Sequence, residues 1–230
     1  MDFLKIKAGN DRIYKNGSFP EMSSCYIPDF VPVKNERTGG YVLSEHIRRQ
    51  TTVECILANN GRRMLALNFA NALVAGGAYI MGGNAQEESL CRASMLYYTI
   101  KEQHEFYRAN RCHILPDYTD GMIFSENVPV IRDDSGSILP HSVMCSFITC
   151  PAVNRYEAAL IMSREKTNKI MERRIEKIVS FAAVQKPELI ILGAFGCGAF
   201  GNKREEILPM FERAAGTYGG NDAEIIFAIP

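Results

Sequence analysis

The chain lacks most of the features that assign a protein to a class at sight. Lysine plus arginine and aspartate plus glutamate stand at 26 each, a formal net charge of zero. No whole-molecule field therefore draws it to nucleic acid or to an anionic membrane. No stretch approaches the roughly 18 consecutive apolar residues of a membrane span, and the opening "MDFLKIKAGN" has none of the apolar core of a signal peptide. The seven cysteines, at 25, 55, 91, 112, 145, 150 and 197, are odd in number and scattered, without a CxxC pair, which speaks against a disulfide framework or a zinc cluster. His46, His104, His113 and His141 stand at no metal-ligand spacing. The expectation is a monomer in a reducing cytoplasm, with most cysteines acting as small core residues. Neither a metal nor a resident cofactor is expected, and neither is direct binding to nucleic acid or membrane. No internal repeat or low-complexity tract is present.

What is present is a chain of 230 residues, 47% hydrophobic, enough for one large domain with a well-filled core. The first fifty residues, rich in turn formers and prolines, read as an irregular N-terminal extension with one or two short strands, packed on a domain spanning 51–230. "TTVECILANN" (51–60) and "RRMLALNFAN" (62–71) read as buried strands. "AQEESLCRASMLYYTIKEQHEFYRAN" has apolar residues at helical spacing. "GMIFSE" and "VPVIRDD" read as extended pieces, and Arg132 to Asp134 lead into a "DDSG" hairpin turn rather than a metal carboxylate pair. "SVMCSFITCPAVN" is a strand ending in a proline-marked loop. A long helix is expected from about Tyr156 to Gln185, where the alternating charges of "MERRIEK" mark a solvated face. "KPELIILGAFG" is a buried strand, "NKREEILPMFERAAGTYGG" a helix and "AEIIFAIP" a closing strand. Fully apolar strands alternating with helices predict an α/β domain with helices on both faces of a mixed sheet.

Two glycine-rich loops follow apolar strands. "GAFGCGAFGNKREE" satisfies GxGxxG through Gly196, Gly198 and Gly201 between a strand and a helix, which suits close approach to a diphosphate. A dinucleotide fingerprint belongs on the first βα turn of its domain, whereas only about thirty residues follow this one. The other loop, "VAGGAYIMGGNAQEES", carries Gly76-Gly77 and Gly82-Gly83 ahead of Glu87 and Glu88. Loops leaving the carboxyl ends of strands gather at one edge of an open α/β sheet, so the two loops are expected to share a cleft.

"NFANALVAGGAYIMGGNAQEESLCRASMLYY" resembles the signature of microbial-type poly(ADP-ribose) glycohydrolases, and "GAFGCGAFGN" is similar to that family's diphosphate loop. "YTDGMIFSENVPVIRDDSG" and "CSFITCPAVN" extend the resemblance over about residues 50–230. It implies a macrodomain-like three-layer α/β/α sandwich with a mixed central sheet. It also implies a glycosidase that binds ADP-ribose and releases it from poly(ADP-ribose) or ADP-ribosylated protein. By motif, Glu88 is the catalytic acid, Glu87 its ribose-contacting neighbour and Asn71 the asparagine beside the scissile bond. Gly76, Gly77, Ala78 and Gln86 belong to the ADP-ribose-binding stretch, and Gly196, Cys197, Gly198, Ala199 and Phe200 to the loop whose amides hold the diphosphate. The family's third glycine is Ala78 here. A position needing positive φ would carry a methyl at a cost of about 1 kcal/mol or more, whereas one needing only a small side chain takes alanine.

Glycoside hydrolysis passes through an oxocarbenium-like state and needs an acid for the leaving oxygen and a base for water. Adjacent helical residues point roughly 100° apart, so Glu87 and Glu88 do not flank a bond as a glycosidase pair does. Glu88 is expected to perform both proton transfers while Glu87 holds ribose hydroxyls. Competing readings are a non-catalytic ADP-ribose reader, for which Ala78 argues, and a nicotinamide-cofactor oxidoreductase resting on "GCGAFG" alone. Cys197, at a helix start, is a weaker candidate nucleophile. Phe200 is the favoured aromatic against adenine or ribose, while Phe147 and Phe195 are equally candidates for the core.

Overall fold

The computed structural model describes residues 2–17, 19–38 and 40–230. In chain order the elements are α1 (Phe3–Asn16), β1 (Ser23–Ile27), β2 (Ile47–Arg48), α2 (Thr52–Ala58), β3 (Met64–Phe69), α3 (Gln86–Ala93), α4 (Leu96–Ile100), α5 (His104–Cys112), β4 (Met122–Arg132), β5 (Ile138–Cys150), α6 (Arg155–Ala158), α7 (Arg164–Val184), β6 (Leu189–Leu192), α8 (Arg204–Tyr218) and β7 (Glu224–Ala228). One-turn 3-10 helices lie at Leu43–His46 and Tyr79–Met81.

The seven strands form one sheet in the order β1-β4-β5-β3-β6-β7-β2. β1–β4 and β4–β5 pair antiparallel, while the remaining pairs are parallel. Helices cover both faces. Leu65 and Leu67 of β3 pack into a core with α7 and α8, and Met64 and Ala66 into a second core with α2 to α5. The expected three-layer α/β arrangement is present, and the continuous apolar runs at β3, β6 and β7 reflect strands buried on both faces.

Several expectations are corrected. Residues 51–60 form α2, not a strand. Thr51 accepts from the Glu54 amide at 3.0 Å while Glu54 accepts from the Thr51 amide at 2.8 Å, a capping box that outweighs the β-branched run behind it. The first fifty residues are less irregular than read: α1 is a 14-residue helix capped by Asp2, and β1 and β2 supply both edges of the sheet. The helical stretch after Ala85 is three helices: α3 and α4 part where Ser94 bridges to Val130 of β4, and α4 and α5 part over 101–103. The pattern from Tyr156 is likewise split, with α7 starting afresh at its own N-cap, Ser163. The hairpin turn is where the sequence places it, with Asp133 accepting from the Ser137 amide and Gly136 at φ +84°.

One buried cation organises the segment before β4. Arg174 of α7 is fully buried and donates to the carbonyls of Pro151, Asp117 and Tyr118 and to the Asp120 carboxylate. It thereby holds Tyr118 at φ +56°, a conformation that is strained for a bulky residue. The Tyr118 ring lies 6.1 Å from that of Phe200. Arg174→Met is expected to destabilise the fold by about 3 kcal/mol, since several carbonyls and a carboxylate lose their buried partner. Arg213→Ala, which breaks an exposed pair with Glu172, should cost under about 1 kcal/mol. Urea denaturation of both variants checks the contrast.

Candidate functional site

A cleft of about 460 Å³ opens at the carboxyl ends of β3, β6 and β7, within the size range of small-molecule sites. Its floor is Phe69 to Asn71 and the chain end Ala228 to Pro230. One wall is the start of α2 and α3 with the hairpin tip at Asp134, and the other is the loop Gly196 to Phe200 with Arg204.

The two acids occupy the first turn of α3 and turn in different directions. Glu87 is buried against β3. Its Oε1 accepts from Asn68 Nδ2 at 3.2 Å and its Oε2 from the Asn71 amide at 2.7 Å, and the Gly76 amide is directed so as to favour its ionised form. Glu88 faces the glycine turn, where Oε1 accepts from the Ala78 amide at 2.8 Å and Oε2 from the Ala85 amide at 3.0 Å. Burial, reinforced by Glu88, pushes the Glu87 carboxyl up to about 8 despite these donors. Near neutral pH the buried pair therefore retains a proton, the condition a general acid requires.

The turn is shaped by these carboxylates. Gly76 and Gly77 have φ of +69° and +55°, and a Cβ on Gly77 would lie 2.5 Å from Glu88 Oε1 and 3.2 Å from Glu87 Oε2. Ala78 has φ −90°, so its methyl carries no backbone strain. Gly83 gives that methyl room: a Cβ there would sit 2.6 Å from the Ala78 methyl. Gly76, Gly77 and Ala78 support the acids from behind and are not part of the cleft wall, whereas Asn71, Gln86, Glu87 and Glu88 are.

Asn71 Oδ1 accepts from the amides of Leu73 and Val74, and its Nδ2 has no partner among the described residues. Gln86 is committed to the protein: it accepts from the Phe69 amide and donates to Leu67 O and Thr52 Oγ1. It pins α3 to β3.

Across the cleft, Gly196 and Gly201 sit at φ +71° and +68°. Asn202 ties the loop ends together, donating to Val153 O and Gly196 O. The amides of Gly196, Gly198, Ala199 and Phe200 donate to no acceptor among the described residues, and Arg204 stands beside them. Free amides, a helix start and a cation in one concave surface suit an anion. Cys197 lines the cleft, but burial pushes its thiol up to about 11, which does not suit a nucleophile. Phe147 and Phe195 are fully buried core residues, and of the three phenylalanines it is Phe200 that reaches the cleft. Among the described residues no group of three or more His, Cys, Asp or Glu side chains is placed to hold a metal, and no helix is long and apolar enough to cross a membrane.

The sequence reading missed Thr51 to Val53, Asp134, Arg204 and Ala228 to Pro230 as cleft residues. The Thr51–Glu54 capping box was a usable signal for the first group, and the strand end at Ala228 for the last.

Comparison with known proteins matches residues 10–133 to the family model "Microbial-type PARG, catalytic domain". Poly(ADP-ribose) glycohydrolase from Thermomonospora curvata, solved with the inhibitor ADP-HPD, is 26% identical with a TM-score of 0.81, covering 99% of this chain and 92% of that one. The Deinococcus radiodurans enzyme, solved with ADP-ribose, is 32% identical with a TM-score of 0.73, covering 80% and 76%. A search of curated proteins gives no match. The chain belongs to the microbial-type poly(ADP-ribose) glycohydrolase family, and its α/β fold is that of these structures.

Two outcomes are expected. Gly83→Ala should destabilise by about 1–3 kcal/mol through the methyl clash, and in an Ala78→Gly background the loss should shrink to about half, as thermal melting would read. Folded Glu87 keeps its proton up to about 8, while an unfolded glutamate loses it near 4.5. Between these values the folded state binds more protons, so this contribution to stability is full below about 4.5 and is lost as pH rises toward 8. Glu87→Gln should flatten that decline in denaturation midpoints measured across the window.

Proposed function

We infer that this chain is a glycosidase that hydrolyses the O-glycosidic bond of poly(ADP-ribose) or of protein-linked ADP-ribose and releases ADP-ribose. The observation that carries the reading is the placement of a proton-retaining carboxylate pair and a loop of unpartnered amides on opposite walls of one cleft. Family membership supports it, as do related structures holding ADP-ribose or an inhibitor.

In this reading the diphosphate lies against the amides of Gly196, Gly198, Ala199 and Phe200, with Arg204 adding positive charge. Phe200 packs against the sugar or base. Asn71 Nδ2 and the Glu87 carboxylate take hydroxyls of the ribose at the scissile bond. A hydroxyl that donates to Glu87 favours its ionised form, which places the proton of the pair on Glu88. Glu88 gives that proton to the departing oxygen as the C–O bond breaks. The resulting carboxylate then accepts a proton from the water that attacks the anomeric carbon, which restores the acid. Two amides on Glu88 keep it oriented through both transfers.

The reader alternative loses its main support, because Ala78 sits at φ −90° and leaves the turn unstrained. The oxidoreductase alternative has only the "GCGAFG" loop, which follows β6 near the end of the sheet's chain order. The action is de-ADP-ribosylation, placed in the cytoplasm, by a monomer whose first fifty residues belong to the same domain.

Glu88→Gln is the test. Gln keeps one acceptor for the two amides and cannot donate the same proton. Release of ADP-ribose from automodified polymerase should fall by about 10²–10⁴-fold, while calorimetry with ADP-ribose still detects binding. Release at near wild-type rate by a variant that binds ADP-ribose would sink the assignment.

A further inference from the structure

Beneath the carboxylate pair lies a polar residue that the mechanism has not used. Asn68 occupies the central strand β3, fully buried, on the face that Met64 and Ala66 give to an apolar core. Asparagine is a poor strand residue, and burying its amide costs free energy unless every polar atom is paired. Here the pairing is one-sided. Nδ2 donates to Glu87 Oε1 at 3.2 Å and to Thr149 Oγ1 at 3.1 Å, whereas Oδ1 has no partner among the described residues. Thr149, also fully buried, is the direct cross-strand neighbour of Asn68 on β5. An apolar pair at these two positions would leave no orphaned carbonyl. The arrangement instead aims a donor at one oxygen of Glu87 from below.

We propose that Asn68, braced by Thr149, is a positioning residue that sets the charge state of Glu87 and thereby decides which acid of the pair carries the proton. The inference rests on the glycohydrolase reading for its catalytic meaning, but not for its chemistry. Three donors favour ionised Glu87: the amides of Asn71 and Gly76 and the side chain of Asn68. The first two are fixed backbone, and Asn68 is the side chain among them. Against them stand burial and Glu88. The other titratable groups facing Glu87 are Cys91 from α3 and Tyr107 from α5. Burial keeps both neutral, so neither supplies a countercharge.

The amide can follow either protonation state, but not equally, because turning it over puts two N–H donors where Oδ1 now lies without a partner among the described residues. A half-turn about its terminal torsion exchanges Nδ2 and Oδ1. Asn68 then accepts from protonated Glu87, and the Thr149 hydroxyl changes from acceptor to donor. Proton transfer from Glu87 to Glu88 on ribose binding is matched by the return of Nδ2 to the carboxylate.

The test uses Asn68→Leu and Thr149→Val in the full chain. Carboxyl NMR titration of ¹³C-glutamate-labelled protein without ligand, with Glu87 assigned through Glu87→Gln, reads the site directly. Asn68→Leu should raise the Glu87 midpoint by about one pH unit, a tenfold change in its ionisation constant, and Thr149→Val by less in the same direction. The alkaline limb of the pH profile for ADP-ribose release should move upward by a similar amount, because the proton that Glu87 holds in the free protein is the one passed to Glu88. A merely structural role would lower the whole profile without moving its limb. If Asn68→Leu does not fold, the Thr149→Val titration decides alone. An unmoved Glu87 midpoint in the folded variant overturns the proposal. If the wild-type protein releases no ADP-ribose, the glycohydrolase reading fails, and the titration still judges Asn68.

Discussion

The structure depends on how two adjacent carboxylates are kept at the start of one helix without driving it apart. Consecutive positions on a helix point about 100° apart, and the chain uses that angle to give each acid its own set of donors. Glu87 turns back to β3 and Glu88 turns to the glycine loop. Each donor offsets part of the cost of burying a charge, so the loop between β3 and α3 is shaped to bring amides inward. That requirement accounts for positive φ at Gly76 and Gly77 and for the attachment of Gln86 to the end of β3. The loop of amides at Gly196 to Phe200 faces a wall whose position is already determined by these contacts.

Support for the acids reaches well outside the cleft. Arg92, at the far end of α3, donates to Gly83 O, Asn84 and Ser89 and lies 4.0 Å from the Phe3 ring of α1. Asn10 of α1 is fully buried and bonds the Tyr79 hydroxyl, the Arg92 carbonyl and Arg132 of β4. The turn that carries Ala78 and Gly83 is thus clamped against α1, which Asn10 ties in turn to Arg132 of β4. Residues distant from the carboxylates in sequence hold the backbone amides that orient them.

This clamp also explains what the sequence did and did not reveal. The runs at β3, β6 and β7 were legible because strands buried on both faces leave uninterrupted apolar stretches. Helix α1 was not, because its most buried position is Asn10, a polar residue that breaks the apolar period. Helix α2 was misread because Thr51, Thr52 and Val53 look like a strand until the Thr51–Glu54 box is weighed against them. Asn71, Glu87, Glu88 and Gly196 to Phe200 could be singled out because local motifs carry them. Asp134, Thr52 and Pro230 reach the cleft only through tertiary folding, and no local spacing announces that. Asn68 was hidden for a related reason, since a lone asparagine in an apolar run does not disclose which acid it will meet.

Ala78 shows what a glycine motif means when it is separated into physical requirements. Two positions in the turn need positive φ, and glycine meets that need at 76 and 77. The third needs an amide aimed at Glu88 and a side chain small enough to pass Gly83, and alanine meets both conditions. Counting glycines therefore does not separate a hydrolase from a reader here. A reader needs the amide loop and a floor for the sugar, whereas a hydrolase also needs a proton held at the cleft near neutral pH. Burial of Glu87 beside Glu88 supplies that proton. In the proposed reaction the donors around Glu87 let that proton pass to Glu88 once ribose hydroxyls arrive. On that proposal, catalytic competence in this chain depends on the hydrogen-bond donors around the acids as much as on the acids themselves.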